Sequence, residues 1–301
     1  MNGVLIIDKP AGLTSHDVVN RVRRILGQRS VGHLGTLDPL ATGVLPLVTG
    51  SLTRLAQFYT TSQKTYEGVV RFGFATDTYD ADGEPSSTAQ SVSLQLHQVS
   101  DLAARFRGVI EQMPPPFSAK KVHGVPAYKL ARKKKAVELK PVRVEIKEFE
   151  ILSVEGDGAS FRARVSSGTY MRSVAHEMGQ QLGCGAHLES LRRTAVAEFN
   201  ISDAHSVQQV QQAAQSGRVE EMFMHPRRLL PDFPAVTADE ENVARIHTGR
   251  AVNLPDLSHA RTVKVFRAQK ELIAIATRVA GTLFHPSIVF SSEVRSAARM
   301  G

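Results

Sequence analysis

The chain has 301 residues, 42% of them apolar, enough for two globular units and too many for one small core. It carries 37 Lys and Arg against 29 Asp and Glu, and the resulting charge of +8 favours an anionic partner, nucleic acid first. A single cysteine, Cys184, excludes an internal disulfide framework and a cysteine-based zinc site.

The apolar run at the amino end, Gly3 to Ile7, is too short for a signal peptide or a membrane span, so a cytoplasmic protein is expected. Val4 to Ile7 instead reads as a short buried strand, stopped by Lys9-Pro10-Ala11-Gly12. Thr14-Ser15-His16-Asp17 follows as a capping box with Asp in the place of Glu. Behind it Val18, Val19, Val22, Ile25 and Leu26 form one helical face that Gly27 ends. Arg21, Arg23 and Arg24 lie off that face, toward solvent or a ligand.

Residues 31–50 hold one acidic residue, Asp38, among glycines, Pro39 and apolar neighbours, with His33 upstream. Asp-Pro by itself is a common turn opening, because Asp bonds its own backbone and Pro fixes φ. A lone carboxylate in so apolar a setting also looks placed for chemistry. Strands are expected over Thr65 to Phe72, Val142 to Leu152 and Ser160 to Val165, where β-branched and aromatic residues partly alternate. A Gly/Asp/Ser-rich loop runs from Thr76 to Ser87, and a helix is expected near Ser100 to Arg107.

Residues 118–143 carry the densest charge: Lys120, Lys121, Lys129, Arg132, Lys133, Lys134, Lys135, Lys140 and Arg143, opposed only by Glu138. His123 and Tyr128 are interleaved. Cations that neutralise phosphates, beside aromatics that touch bases, are the ordinary parts of an RNA surface. Flanking prolines mark the segment as a partly exposed loop or thumb, and a solvated basic loop is the plainer alternative.

Met171, Val174, Ala175, Met178 and Leu182 return to helical spacing, with Gly183 as the stop. Prolines 226, 231 and 234 punctuate a boundary near 226–235. Beyond it a short helix, Asp239 to His247, precedes strand-like runs at Thr262 to Phe266, Leu272 to Thr277 and Ser287 to Phe290. Residues 1–228 hold six of the eight net positive charges. The whole reads as α+β with mixed or antiparallel sheets, without the βα alternation of a doubly wound fold.

Phosphate-binding, dinucleotide-binding, metalloprotease and nucleophile-elbow motifs are all missing: His176-Glu177 is followed by Met178-Gly179. Any chemistry must then come from Asp38 and its surroundings, without metal or cofactor.

Four segments resemble the TruB family of bacterial tRNA pseudouridine-55 synthases. They are Gly3 to Ser15; Gly32 to Leu45; Lys64 to Glu67 with Thr76 to Gly83; and Gly168 to Ser173 with Gly183 to Leu188 and Leu191 to Arg193. Leu34 departs from the pattern, which has Thr after this His. The resemblance implies a pseudouridine synthase catalytic part over 1–228 with its basic thumb at about 118–143. It also implies a small β-rich PUA-like RNA-binding part over 229–301, resting on Ile246 to Arg250 and Leu272 to Ala276.

The implied reaction breaks the N1–C1′ bond of a uridine in the tRNA T-loop, turns the base and rejoins it through C5. The base must first be flipped out of its stack. Asp38 is the implied nucleophile, whether at C1′, at C6 or through a glycal route. Arg172 matches the family's arginine, which would keep the carboxylate ionised and oriented. Tyr66 matches the tyrosine that packs on the base, and Tyr170 and Leu191 match positions lining the uracil pocket. His33 matches the histidine that meets RNA where the base leaves the stack. A monomer acting on the T-stem-loop, without cofactor, is the expectation. A non-catalytic tRNA-binding or RNA-folding protein is the rival, and it would need none of Asp38, Tyr66 and Arg172. A synthase acting on another RNA shares the chemistry.

Overall fold

The computed structural model of the chain describes residues 1–118, 121–122, 125–126, 139–255 and 259–290. In chain order its strands are β1 (Gly3–Lys9), β2 (Val31–His33), β3 (Thr42–Thr49), β4 (Lys64–Phe72), β5 (Gly108–Gln112), β6 (Lys121–Val122), β7 (Val125–Pro126), β8 (Val142–Glu155) and β9 (Gly158–Val165). They continue with β10 (Ala186–Val196), β11 (Phe199–Asn200), β12 (Phe223–Met224), β13 (Ala235–Ala238), β14 (Val252–Asn253), β15 (Thr262–Arg267), β16 (Glu271–Ala280) and β17 (Leu283–Val289).

Ten of these strands make one sheet in the order β12-β1-β3-β10-β4-β9-β8-β5, with β2 on β3 and β11 on β10. Neighbours are antiparallel except β3 and β10, which run parallel. The continuous apolar run of β1 has a simple cause: both its faces are covered. Leu5 and Ile7 enter the core beneath the helices, whereas Val4 and Ile6 enter a second cluster on the opposite face. Val18, Val19 and Val22 of the helix Ser15–Leu26 join the first core. That helix begins with the Thr14–Asp17 capping box and stops at Gly27, whose φ of 60° is left-handed.

The second cluster joins the main sheet to the five-stranded sheet β13-β15-β16-β17-β14, through Phe266, Leu272, Ile275, Ile288 and Phe290. The junction is also hydrogen-bonded. Lys264 Nζ donates to the carbonyls of Arg227 (2.9 Å) and Leu229 (2.6 Å), and Arg54 donates to that of Val289 (2.9 Å). The five-stranded sheet has a further core of its own under the helix Glu240–His247.

Some elements fall elsewhere than the sequence suggests. The helix expected near Ser100 to Arg107 spans Leu96–Ala104, because Gln95 and Gln98 form a reciprocal cap ahead of it. The last strand begins at Leu283 rather than Ser287. β3, β5 and β10 are additions to the expected strands.

Candidate active site

Asp38 sits in the turn between β2 and β3, and its own carbonyl accepts from Ala41 N–H at 3.1 Å, as an Asp-Pro turn should. The rest of the loop is braced from three sides. Ser15 Oγ accepts from Leu37 N–H (2.8 Å) and donates to the Leu37 carbonyl (3.1 Å). The Pro39 carbonyl accepts from Gly12 N–H (2.9 Å) and Lys9 Nζ (3.2 Å). Lys9 also bonds the carbonyls of Pro10 and Leu13, so all three of its donors are used. Burial pushes its ammonium down to about 8, against the pull of Asp38.

Arg193, fully buried in β10, closes the third side. It donates to the carbonyls of Gly35 (3.0 Å), Thr36 (3.2 Å) and Val44 (2.8 Å), and so ties both ends of the loop together. Gly43 lets β10 come this close: a Cβ there would stand 2.2 Å from the Arg193 carbonyl, and its φ is +98°. Leu34, the departure from the family pattern, is buried in the cluster beneath the sheet.

Within this cradle the Asp38 side chain keeps 40% of its surface exposed. Arg172, on the first turn of the helix Met171–Gln181, reaches it with Nη2 at 2.9 Å from Oδ2. The same guanidinium holds a second carboxylate, Asp80 Oδ2, at 3.3 Å, and donates to the carbonyls of Thr78 and Phe117, both at 3.1 Å. Asp80 is 4% exposed and accepts further from Thr78 Oγ1 (2.6 Å) and Asp82 N–H (3.2 Å). A planar fork can span two carboxylates in this way, and a point charge cannot. Tyr79 lies between the two loop groups that hold Arg172, at a φ of +66°. Its ring stacks on His176, one turn further along the helix of Arg172, at 3.7 Å.

Asp38 and Arg172 open into a cavity of about 290 Å³, lined also by Tyr66, Tyr170, Leu191 and Lys64. That volume is at the low end for small-molecule pockets, roughly 300–1,000 Å³. Tyr66 of β4 is buried and lies in register with Arg193 of β10. Tyr170 caps the helix, and its backbone is clamped by the side-chain amide of buried Gln112, at 2.8 Å and 3.1 Å. Burial pushes its phenol up from the ordinary value. The sequence thus names five residues that the fold brings to one cavity: Asp38, Tyr66, Tyr170, Arg172 and Leu191.

His33 stands outside the cavity lining. Its Nδ1 accepts from Gly35 N–H at 3.3 Å, and burial lowers its pKa. Lys120, Lys129, Arg132, Lys133, Lys134 and Lys135 lie outside the described residues, and Lys121 contributes only the backbone of β6. The sequence reading missed the supporting groups Lys9, Ser15, Lys64, Asp80, Gln112 and Arg193. All but Gln112 fall within the segments that carry the resemblance, but nothing in their local pattern marks them as supports of the site.

A larger cleft of about 990 Å³ lies beside the junction of the two sheets, lined among others by Gln28, Arg29, Glu220, Lys270 and Glu271. Its charges do not converge on a reactive group, so chemistry rather than volume selects the smaller cavity. Among the described residues no three His, Cys, Asp or Glu side chains gather as a metal site would require, and no helix is long and apolar enough to cross a membrane.

Comparison with known proteins finds matches over most of the chain. Residues 23–171 match the model of the TruB family pseudouridylate synthase N-terminal domain, and 172–231 match that of the tRNA pseudouridylate synthase B C-terminal domain. The chain is 50% identical to the tRNA pseudouridine synthase B of Solibacter usitatus, over 96% of this chain and all of that protein. It is 39% identical to that of Aquifex aeolicus, over 90% and 93%. Its fold is similar to a chain in the structure of an H/ACA RNP bound to a substrate RNA containing 2′-deoxyuridine. That match has a TM-score of 0.70 and 22% identity, and covers 96% of this chain and 85% of that one.

Proposed function

The chain belongs to the TruB family of pseudouridylate synthases, and from that premise we propose that it converts uridine 55 in the T-loop of tRNA to pseudouridine. The N1–C1′ bond breaks, the uracil turns, C5 joins C1′, N1 takes up a proton and C5 releases one. Asp38 is the nucleophile. Arg172 aims it, while Asp80 fixes Arg172. Tyr66, Tyr170 and Leu191 enclose the flipped base, and His33 meets the RNA beside the vacated stack.

One observation carries the reading. A half-exposed carboxylate faces a base-sized cavity and is held at 2.9 Å by an arginine that is itself locked to a second, buried carboxylate. Phosphate attraction alone requires no such arrangement, which sets catalysis above a pure RNA-binding role. Residues 1–228 are the catalytic part, and 229–301 dock a further stretch of the tRNA.

The deciding experiment is tritium release from tRNA carrying 5-tritiated uridine, followed by mapping of the modified position. Release with modification at 55 is expected. No release from any RNA would leave only binding, and modification elsewhere would change the substrate.

We assign the phosphate contacts to the basic thumb, through Lys120, Lys121, Lys129, Arg132, Lys133, Lys134 and Lys135. Changing Lys133, Lys134 and Lys135 together to Gln should weaken tRNA binding and reduce the slope of log K against log salt by about two to three. A titration across salt concentrations measures this, and an unchanged slope would remove the thumb from the interface.

A further inference from the structure

Arg172 is not the only cation facing the cavity. Lys64 lines it as well, at the start of β4. Its ammonium has three donors, and one of them is used on the Ser62 carbonyl at 2.9 Å. Among the described residues no carboxylate forms an ion pair with it. The stem runs beside the Asp38 loop, with Cε 3.5 Å from where a Gly35 Cβ would stand. Burial pushes the ammonium down to about 8, and Arg193 presses the same way.

The cavity lining therefore holds two charged groups. The Asp38–Arg172 pair is one, and Lys64, beside Gly35, is the other. A half-buried cation that uses one of its three donors and meets no acid among the described residues is an incomplete site. A nucleotide entering with its base toward Asp38 brings anions of one kind, the phosphodiesters on its 5′ and 3′ sides.

We propose that Lys64 Nζ binds a phosphodiester attached to the reacting uridine, and by doing so sets how deeply the ribose enters the cavity. This rests on the uridine-55 reading. It places one of the substrate's phosphates inside the catalytic cavity, apart from the thumb. The lysine acts by positioning: with the phosphate held, C1′ stays opposite the Asp38 carboxylate, and without it the nucleotide slides.

A T-stem-loop RNA with 5-tritiated uridine at the target position tests this. The RNA is made in three forms: unmodified, or with a neutral methylphosphonate replacing the phosphodiester on the 5′ or the 3′ side of that uridine. Wild-type protein should lose about 10- to 100-fold in kcat/KM for one of the two methylphosphonates, the loss of a charged hydrogen bond. K64M should lose a similar factor on unmodified RNA and lose nothing more on that methylphosphonate, because the pair is already broken. K64R, which keeps a donor and a charge, should recover part of the loss and keep its sensitivity to the methylphosphonate.

If both methylphosphonates are processed by wild-type protein at the unmodified rate, the proposal is overturned without any variant being needed. Additive losses in K64M overturn it too, since Lys64 would then act elsewhere. Failure of wild-type protein on unmodified RNA is a different result: it removes the uridine-55 reading itself.

Discussion

Changing Asp38 to Asn should lower tritium release by at least about 10⁴-fold, the scale on which removal of a catalytic group acts. Its tRNA affinity should stay within about tenfold, since phosphate contacts supply most of the binding. The geometry makes this a clean test. Asn is nearly isosteric with Asp, and the loop is held by Ser15, Lys9, Gly12 and Arg193 through backbone atoms the substitution does not touch. Arg172 keeps Asp80 and the carbonyls of Thr78 and Phe117. The lost ion pair is partly solvated on the Asp38 side and contributes little to stability. Release at the wild-type rate would show that Asp38 is not the nucleophile.

Changing Arg172 to Met should affect both stability and turnover, and the two can be separated. It leaves the Asp80 carboxylate buried without its cation, a situation that costs about 3–5 kcal/mol. A correspondingly lower Tm is expected in thermal denaturation. It also frees Asp38 from its only side-chain anchor among the described residues, and misplacement of a reacting group by about 1 Å can cost around 100-fold in rate. The double variant R172M/D80N removes the stranded charge. It should regain much of the stability and none of the turnover, with kcat rather than KM carrying the defect. A rise in KM at unchanged kcat would instead place Arg172 on the RNA-docking surface.

Much of this site was legible in the chain. Asp38 stood out because it is the only acid in a block of turn-forming and apolar residues, and the Thr14 to Gly27 signals fixed the helix beside it. The local pattern hid what depends on distant partners. β10 carries Arg192 and Arg193 in its middle, which masks a strand buried at the centre of a sheet. Arg193 tolerates full burial because three backbone carbonyls and the Tyr66 phenol meet it, and all of them lie more than a hundred residues earlier. Asp80 looks like one more polar residue of a surface loop until Arg172 arrives from another element. Lys64 reads as an ordinary strand lysine, because its missing acid is a property of the cavity and not of its neighbours in sequence.

The placing of β10 between β3 and β4 has a consequence for how the protein is made. Those two strands leave the ribosome more than a hundred residues before β10 does, and they carry Asp38's loop and Tyr66. Until β10 is complete, neither has its strand partner on that side. Such long-range pairing is slow to form, because loop closure precedes any contact that rewards it. The same strand delivers Arg193 and Leu191, and the helix just before it delivers Arg172. A nascent chain that stops short of β10 thus holds the carboxylate, its arginine and its tyrosine without the strand that joins β3 to β4, and β10 completes the middle of the sheet and the candidate site in one step.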